Sequence, residues 1–408
     1  MDATAQSAVP PEPSQPDRTK WVMLGLGWSL YFCFGIVVAS LVPVVTTLRT
    51  ELNLSYTEMG IILGAWQLFF IGAAPPAGAL IDRFGPKRVL TVGVLIMAIS
   101  AALRGYANGF PLLFGAVALF GVGGPIIAIG LTKLVADWFT GPSRGVASGI
   151  YITGAAAGNA VVLALAHPII LPLTGGWRQA QFFYGAFVLA FAVAWLVFGR
   201  DSAQSQADRN RPREGREKGG YWQVMKQPAV WLVIGVGFCG FLANHGVRNW
   251  LPQILETAGI DVTTAGFLGA LPAVTGIVGS ILVLRYATRR PGGRKAATIF
   301  LLAVTGLSML AIMFTEGWLL VLVIAIEGFC AAAFAPLMLN TLMEMPSIGA
   351  RNTGSAAGLY FSVGETGGTL GPFLLGAAAD VTGTFMAGMV FLAMVMWIMI
   401  LPASRIRT

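Results

Sequence analysis

Two acids set in apolar surroundings are the residues of this chain best suited to chemistry. Glu365 lies in LYFSVGETGGTLGPFLL, Leu359 to Leu375, a glycine-rich stretch with no basic residue, and Glu327 lies in Ala325-Ile-Glu-Gly-Phe-Cys330. A carboxylate in such surroundings is costly to keep charged, so both groups suit the uptake and release of a proton. The complementary chemistry comes from Asn244-His-Gly-Val-Arg-Asn-Trp250. There Arg248 can hold an anion through paired donors or snorkel to an interface beside Trp250. His245, one turn earlier, reads as a hydrogen-bonded structural residue rather than a proton carrier. Tyr31, Gln67, Asn159, Asn244, Asn340 and Tyr360 could line a polar path or make hydrogen bonds between helices. No Walker loop, Ser/His/Asp set or metal-ligand cluster accompanies them, so ATP-driven work and hydrolysis are excluded and neither cofactor nor metal is expected. The chain does not read as an enzyme.

These residues need elements that can hold them, and composition names those elements. Of 408 residues 56% are apolar and only 11% charged, and the mean hydropathy is +0.75, outside the range of soluble globular chains. Crossing hydrocarbon takes about 20 helical residues. Twelve apolar runs meet that length: 21–44, 57–78, 88–106, 110–135, 145–168, 177–199, 228–251, 264–285, 294–314, 317–341, 353–377 and 382–403. The expected fold is an all-α membrane protein, because lipid offers no partner for a strand edge. Residues 1–20 form a polar tail without the basic start of a secretory signal, so the first run is a span. Cys33, Cys239 and Cys330 all lie in apolar runs and behave as small hydrophobes.

Charge orients the set. With both termini cytoplasmic, only Arg49, Arg104, Arg178 and Arg248 of the 26 Lys and Arg face outward, as the positive-inside rule requires. Arg104, near the outer end of the third span, is expected to snorkel. The net charge of +8 is explained by this distribution, and nucleic-acid binding is not expected. Outer acids, Glu51, Glu256, Asp261, Glu316 and Asp380 among them, outnumber the outer arginines, so no general anion funnel is implied. A charged, Gln/Ser-rich linker at 200–222 divides the chain into six-span bundles at 21–199 and 223–408. The halves resemble each other: Arg144-Gly-Val-Ala-Ser-Gly-Ile-Tyr151 aligns with Thr353-Gly-Ser-Ala-Ala-Gly-Leu-Tyr360, a repeat characteristic of secondary transporters. In that alignment Ala156 stands where Glu365 does, so the fold itself does not demand the acid. Ser55 and Glu58 have capping-box spacing ahead of the second span. Counting 1.5 Å per residue, Glu327 and Glu365 both lie about 15 Å into their spans, entered from opposite faces.

Between the second and third spans the chain reads Gly78-Ala-Leu-Ile-Asp82-Arg83-Phe-Gly85-Pro-Lys87-Arg88. This resembles the signature loop of the major facilitator superfamily, with Pro86 where an Arg is common. Gly78 would allow close helix contact, Gly85-Pro86 a tight turn, and Lys87 and Arg88 a hold on anionic lipid. Asp82 could sit at a helix N-terminus or pair with Arg83 or Arg144. The resemblance implies that this contact latches one state of an alternating-access cycle, against the start of the eleventh span near Gly354. It also implies that the tenth helix lines a central cavity and the eleventh flanks it. Two family features are missing. No Arg stands near Val117 in the fourth span, and Gly154-Ala-Ala-Ala-Gly158-Asn159 lacks the Pro of the antiporter motif. Asn249-Trp-Leu-Pro-Gln-Ile-Leu-Glu-Thr-Ala-Gly259 resembles the cyanate and nitroimidazole permease branch and related organic-anion carriers.

The sequence thus points to a monomeric secondary transporter of the bacterial inner membrane, working by alternating access on a small organic or inorganic anion. Glu365 and Glu327 would couple it to protons, in symport, and Asp82, Arg83, Gly85, Lys87, Arg88 and Arg144 would gate it. Its partners would be substrate, protons and lipid. The alternatives are an exporter of apolar or cationic compounds and a membrane sensor or assembly factor that transports nothing.

Overall fold

A computed structural model of the chain describes residues 17–202, 205–206, 224–345 and 348–405, with side chains at 17 and 349–354 outside that set. The expected linker at 200–222 lies largely outside the described residues, as does the tail to residue 16. All regular elements among the described residues are helical. Twelve helices carry the fold: α1 (Asp17–Ala39), α2 (Tyr56–Phe84), α3 (Pro86–Gly105), α4 (Phe110–Trp138), α5 (Pro142–Leu165), α6 (Trp177–Phe198), α7 (Pro228–Thr257), α8 (Val262–Arg289), α9 (Gly293–Ile312), α10 in two segments (Gly317–Ala331 and Phe334–Met343), α11 (Gly349–Thr382) and α12 (Met386–Ile398). They correspond one to one with the twelve apolar runs and form two six-helix bundles. Eleven are long and apolar enough to cross a bilayer, some of them together with a short flanking helix. The exception, α11, has 34 residues, but its Gly, Ser, Thr and Glu365 make it too polar on average. It is sheltered between α7, α2 and α12.

Local chemistry sets the helix ends. Ser55 and Glu58 form the expected capping box on α2, each side chain bonded to the other's backbone N–H at 3.0 and 2.8 Å. Asp261 caps α8 by accepting from the backbone of Thr263 and Thr264. Gly85, at φ 85°, makes the turn between α2 and α3 in a conformation that a side chain would strain.

The bundles meet at one end and part at the other. At the end carrying Asp380, α2 packs on α11 so closely that a Cβ on Gly376 would lie 2.3 Å from the Tyr56 carbonyl. Likewise α5 meets α8, where a Cβ on Gly266 would lie 2.4 Å from the Leu163 carbonyl. At the opposite end, around Asp82, a Cβ added to Gly72, Gly78, Gly145 or Gly149 would meet none of the described residues within 4 Å. Among the described residues, then, Gly78 makes no close helix contact. Among the described residues, hydrogen bonds crossing between the bundles occur only at the Asp380 end and at mid-depth.

Arg104 corrects the sequence reading. It does not snorkel: it is 2% exposed and donates to the Val37 carbonyl at 2.5 Å and to the Ser40 hydroxyl at 2.9 Å. The first span is not one straight helix, because α1 stops at Ala39 and a tight turn at Val42–Val44 follows. That break leaves α1 with unpaired C-terminal carbonyls at the negative end of its dipole, and the guanidinium fills them. Gln181 of α6 completes the set by bonding Ser40 through both its oxygen and its nitrogen.

Candidate functional site

The polar residues inside the fold assemble into two neighbouring groups at mid-depth between the bundles. The first joins three helices. Gln67 of α2 is fully buried, with its Nε2 3.1 Å from Nδ1 of His245 on α7. Nε2 of the same ring lies 4.0 Å from Oε2 of Glu365 on α11. Glu365 is 8% exposed, and neither its Oε2 nor Oε1 of Gln67 has a hydrogen-bond partner. Aromatic rings wall the group: Trp66 stands edge-on to the imidazole at 6.0 Å and Phe241 stacks on it at 5.9 Å.

The second group sits one turn further along α7, since residues three apart share a helix face. Arg248 is half-buried there, within electrostatic reach of Glu327 on α10 and of His245. Glu327 is 3% exposed. Among the described residues, Arg248 and Glu327 carry no hydrogen bond and are not in ion-pair contact, so both retain unused donors and acceptors. Asn244, four residues before Arg248, is half-buried on the same face. The α1 side of the gap contributes Tyr31, half-buried, with ring centroids 5.3 Å from Phe34 and 5.7 Å from Tyr151; its hydroxyl lies within electrostatic reach of Glu365.

The other three candidates lie outside these two groups, although Tyr360 is within electrostatic reach of Glu365. Tyr360 is fully buried against Gly237, its hydroxyl 3.4 Å from the Ala335 carbonyl, where it packs α11 onto α7 and α10. Asn159 is 4% exposed in the α1–α5 seam, its backbone nitrogen against Gly35. Asn340 sits near the Asp82 end, accepting from Arg294 Nε at 3.3 Å and donating to Glu344 at 3.1 Å.

The gating candidates are at the open end. Asp82, Arg83, Arg88 and Arg144 are exposed, and Asp82 makes no ion pair or hydrogen bond with Arg83, Arg144 or any other described residue. Arg83 lies over the Phe84 ring at 5.1 Å. Lys87 contributes backbone atoms: its N–H donates to Asp201 and its carbonyl accepts from Trp195. The side-chain surroundings of Gly354, the expected docking point for Asp82, lie outside the described residues.

The closed end holds a contact that was not foreseen. Asp380, at the end of α11, accepts from the backbone N–H of Tyr56 at 2.9 Å, the N–H of Thr57 at 2.7 Å and the Thr57 hydroxyl at 2.5 Å. A carboxylate thus sits on the N-terminus of a helix from the other bundle, where unpaired donors and the helix dipole favour it. Beside it the Thr46 hydroxyl lies 2.8 Å from Gln253 Oε1 and also contacts Glu256. The capping box, by using the Glu58 N–H, leaves those of Tyr56 and Thr57 in want of an acceptor, which was a legible signal. That the acceptor lies 324 residues away was not.

Comparison with known proteins agrees with this architecture. A profile described as the Major Facilitator Superfamily matches residues 27–372. The chain is 26% identical over 391 residues to the probable sulfoacetate transporter SauU of Cupriavidus necator, covering 90% of this chain and 89% of that one. It is 27% identical over 373 residues to the 2-nitroimidazole transporter of Escherichia coli, covering 89% and 90%. Its fold is similar, with a TM-score of 0.77 at 16% identity over 96% of both chains, to a bacterial homologue of the human lysosomal transporter Spinster in an inward-facing and unoccupied conformation. The chain belongs to the Major Facilitator Superfamily, a superfamily of membrane transporters.

Proposed function

We propose that the protein is a proton-coupled carrier of small organic anions, in a conformation with its site open to the cytoplasm. The observation that carries the reading is the pairing, at mid-depth between two bundles, of one uncommitted guanidinium with two buried acids. Arg248 supplies paired donors to a carboxylate or sulfonate. Glu365 and Glu327, both buried and without a side-chain hydrogen bond among the described residues, are the groups that take up and release the proton. The relative named for sulfoacetate supports the anion. The basic loops support an orientation with the Asp82 end in the cytoplasm. The Asp380 contact holds the outer side shut and the parted Asp82 end gives access from within, one end state of alternating access. In the opposite state Asp82 would dock while Asp380 lets go.

The test is uptake into proteoliposomes of a panel of small anions, sulfoacetate included, with and without an inward proton gradient. Gradient-driven accumulation is expected, lost in Glu365→Gln and weakened in Arg248→Ala at subsaturating substrate. Accumulation that survives unchanged in Glu365→Gln removes the coupling assignment. A second reading has an observation of its own: a free Glu365 oxygen beside Trp66 and Phe241 also suits an organic cation. Efflux of lipophilic cations that needs Glu365 but not Arg248 would favour it.

A further inference from the structure

The atoms around His245 assign it a part that its sequence did not suggest. An amide nitrogen only donates, so the 3.1 Å contact from Gln67 Nε2 makes His245 Nδ1 the acceptor and leaves the ring proton on Nε2. That N–H faces Glu365 Oε2 at 4.0 Å, beyond hydrogen-bond reach. The carboxyl oxygen it faces and the Gln67 oxygen behind it are both buried and unpartnered. The line Gln67–His245–Glu365 also crosses the seam between bundles, with α2 at one end and α11 at the other.

We propose that His245 is a positioning residue that carries the charge state of Glu365 across the seam to Gln67. This rests on the reading of Glu365 as the proton site. An ionised Glu365 draws the Nε2–H into a charge-assisted hydrogen bond and orders the ring in the tautomer that Gln67 requires, so the bundles are held together at mid-depth. A protonated Glu365 offers no such pull, and the ring gains no ordering from α11. The imidazole keeps its own proton on Nε2 in both states; only Glu365 gains or loses one. The charged and titratable groups facing the line are Tyr31 from α1, Arg248 on the ring's own helix, Glu327 behind it on α10, and Tyr360 on the helix of Glu365. From α2 only neutral Gln67 and Trp66 approach it.

A substrate-free experiment tests this. Spin labels at Val146 on α5 and Leu282 on α8, exposed by 58% and 49%, report the opening at the Asp82 end of the full-length protein in nanodiscs. The separation is followed from roughly pH 5 to roughly pH 9. The wild type is expected to change separation with pH, and the change is expected to be lost in Glu365→Gln, in His245→Phe and in Gln67→Leu. Loss in Glu365→Gln with a wild-type response in His245→Phe or Gln67→Leu overturns the role of His245 and leaves the proton site standing. A wild-type response in Glu365→Gln overturns the proton site itself. If His245→Phe does not fold, His245→Asn, which retains only the Nδ1-like position, is expected to lose the response as well.

Discussion

Replacing Asp380 by Ala separates the two bundles at their closed end. The substitution removes the acceptor for two backbone N–H groups and one hydroxyl of α2. Charge-assisted hydrogen bonds reach about 1.5–3 kcal/mol each, but this carboxylate is largely solvated, so screening reduces the value. The closest analogue is a helix N-cap, worth typically ~1 kcal/mol to Ala, with about 0.3–1 kcal/mol more for a charge on the dipole. Because Ser55 and Glu58 still cap α2, the loss falls on the contact between bundles. A total of about 1–2 kcal/mol changes the ratio of closed to open molecules by about 5- to 30-fold. Spin labels at Thr50 and Val381, exposed sites on either bundle, should show the separated population growing by that factor. An unchanged distance distribution in both Asp380→Ala and Asp380→Asn would refute the reasoning. The pH dependence has a definite sign. Partial burial works against the charge, but the Thr57 hydroxyl and the N–H groups of Thr57 and Tyr56 outweigh it, so the carboxyl lies below its usual range. A pKa depressed in the closed state means that the contact is complete above the ordinary carboxylate range. It is lost only as the pH on that side falls through the depressed value.

Further outcomes follow from the same geometry. Arg104→Ala removes the charge-assisted bonds to the Val37 carbonyl and the Ser40 hydroxyl, which still have each other and Gln181 as partners, and should cost about 1.5–3 kcal/mol, read as a lower temperature for loss of the monodisperse species in detergent. Wild-type melting would return Arg104 to the interface. Gly376→Ala places a Cβ 2.3 Å from the Tyr56 carbonyl and should open the Asp380 end as Asp380→Ala does, whereas Gly78→Ala meets none of the described residues within 4 Å and should leave the closed end alone; the same spin-label distances compare them. Cys33, Cys239 and Cys330, all buried, should resist a water-soluble maleimide in membranes, and rapid labelling of any of them would contradict the packing at that helix.

The mid-membrane acids were legible because a charge among apolar residues has no ordinary packing explanation, and Glu327 and Glu365 are both buried at mid-depth. For Arg248 the sequence left two readings open, holding an anion or snorkelling outward. Its position on the face of α7 turned towards Glu327 comes from the way α7 and α10 pack. Asn159, Asn340 and Tyr360 show the opposite outcome. A polar side chain in a span is read the same way whether it faces a cavity or another helix: Asn340 bonds to Arg294 of α9 and Tyr360 packs against α7 and α10, while Asn159 is buried with its side-chain oxygen unpartnered. His245 was read as structural because nothing in Asn244–Trp250 reveals that Gln67 stands on one side of the ring and Glu365 on the other.

Taken alone, the sequence determined the membrane environment, the twelve helices, the two-bundle division and the capping of α2, because each depends on composition, length or neighbours within a turn. Tertiary structure decided which end is closed, what Arg104 and Asp380 bind, and which polar residues meet. Those outcomes depend on pairs such as Gln67 with His245 and Thr57 with Asp380, 178 and 323 residues apart. A helix's own periodicity carries the direction of each side chain but not the identity of the helix it will face.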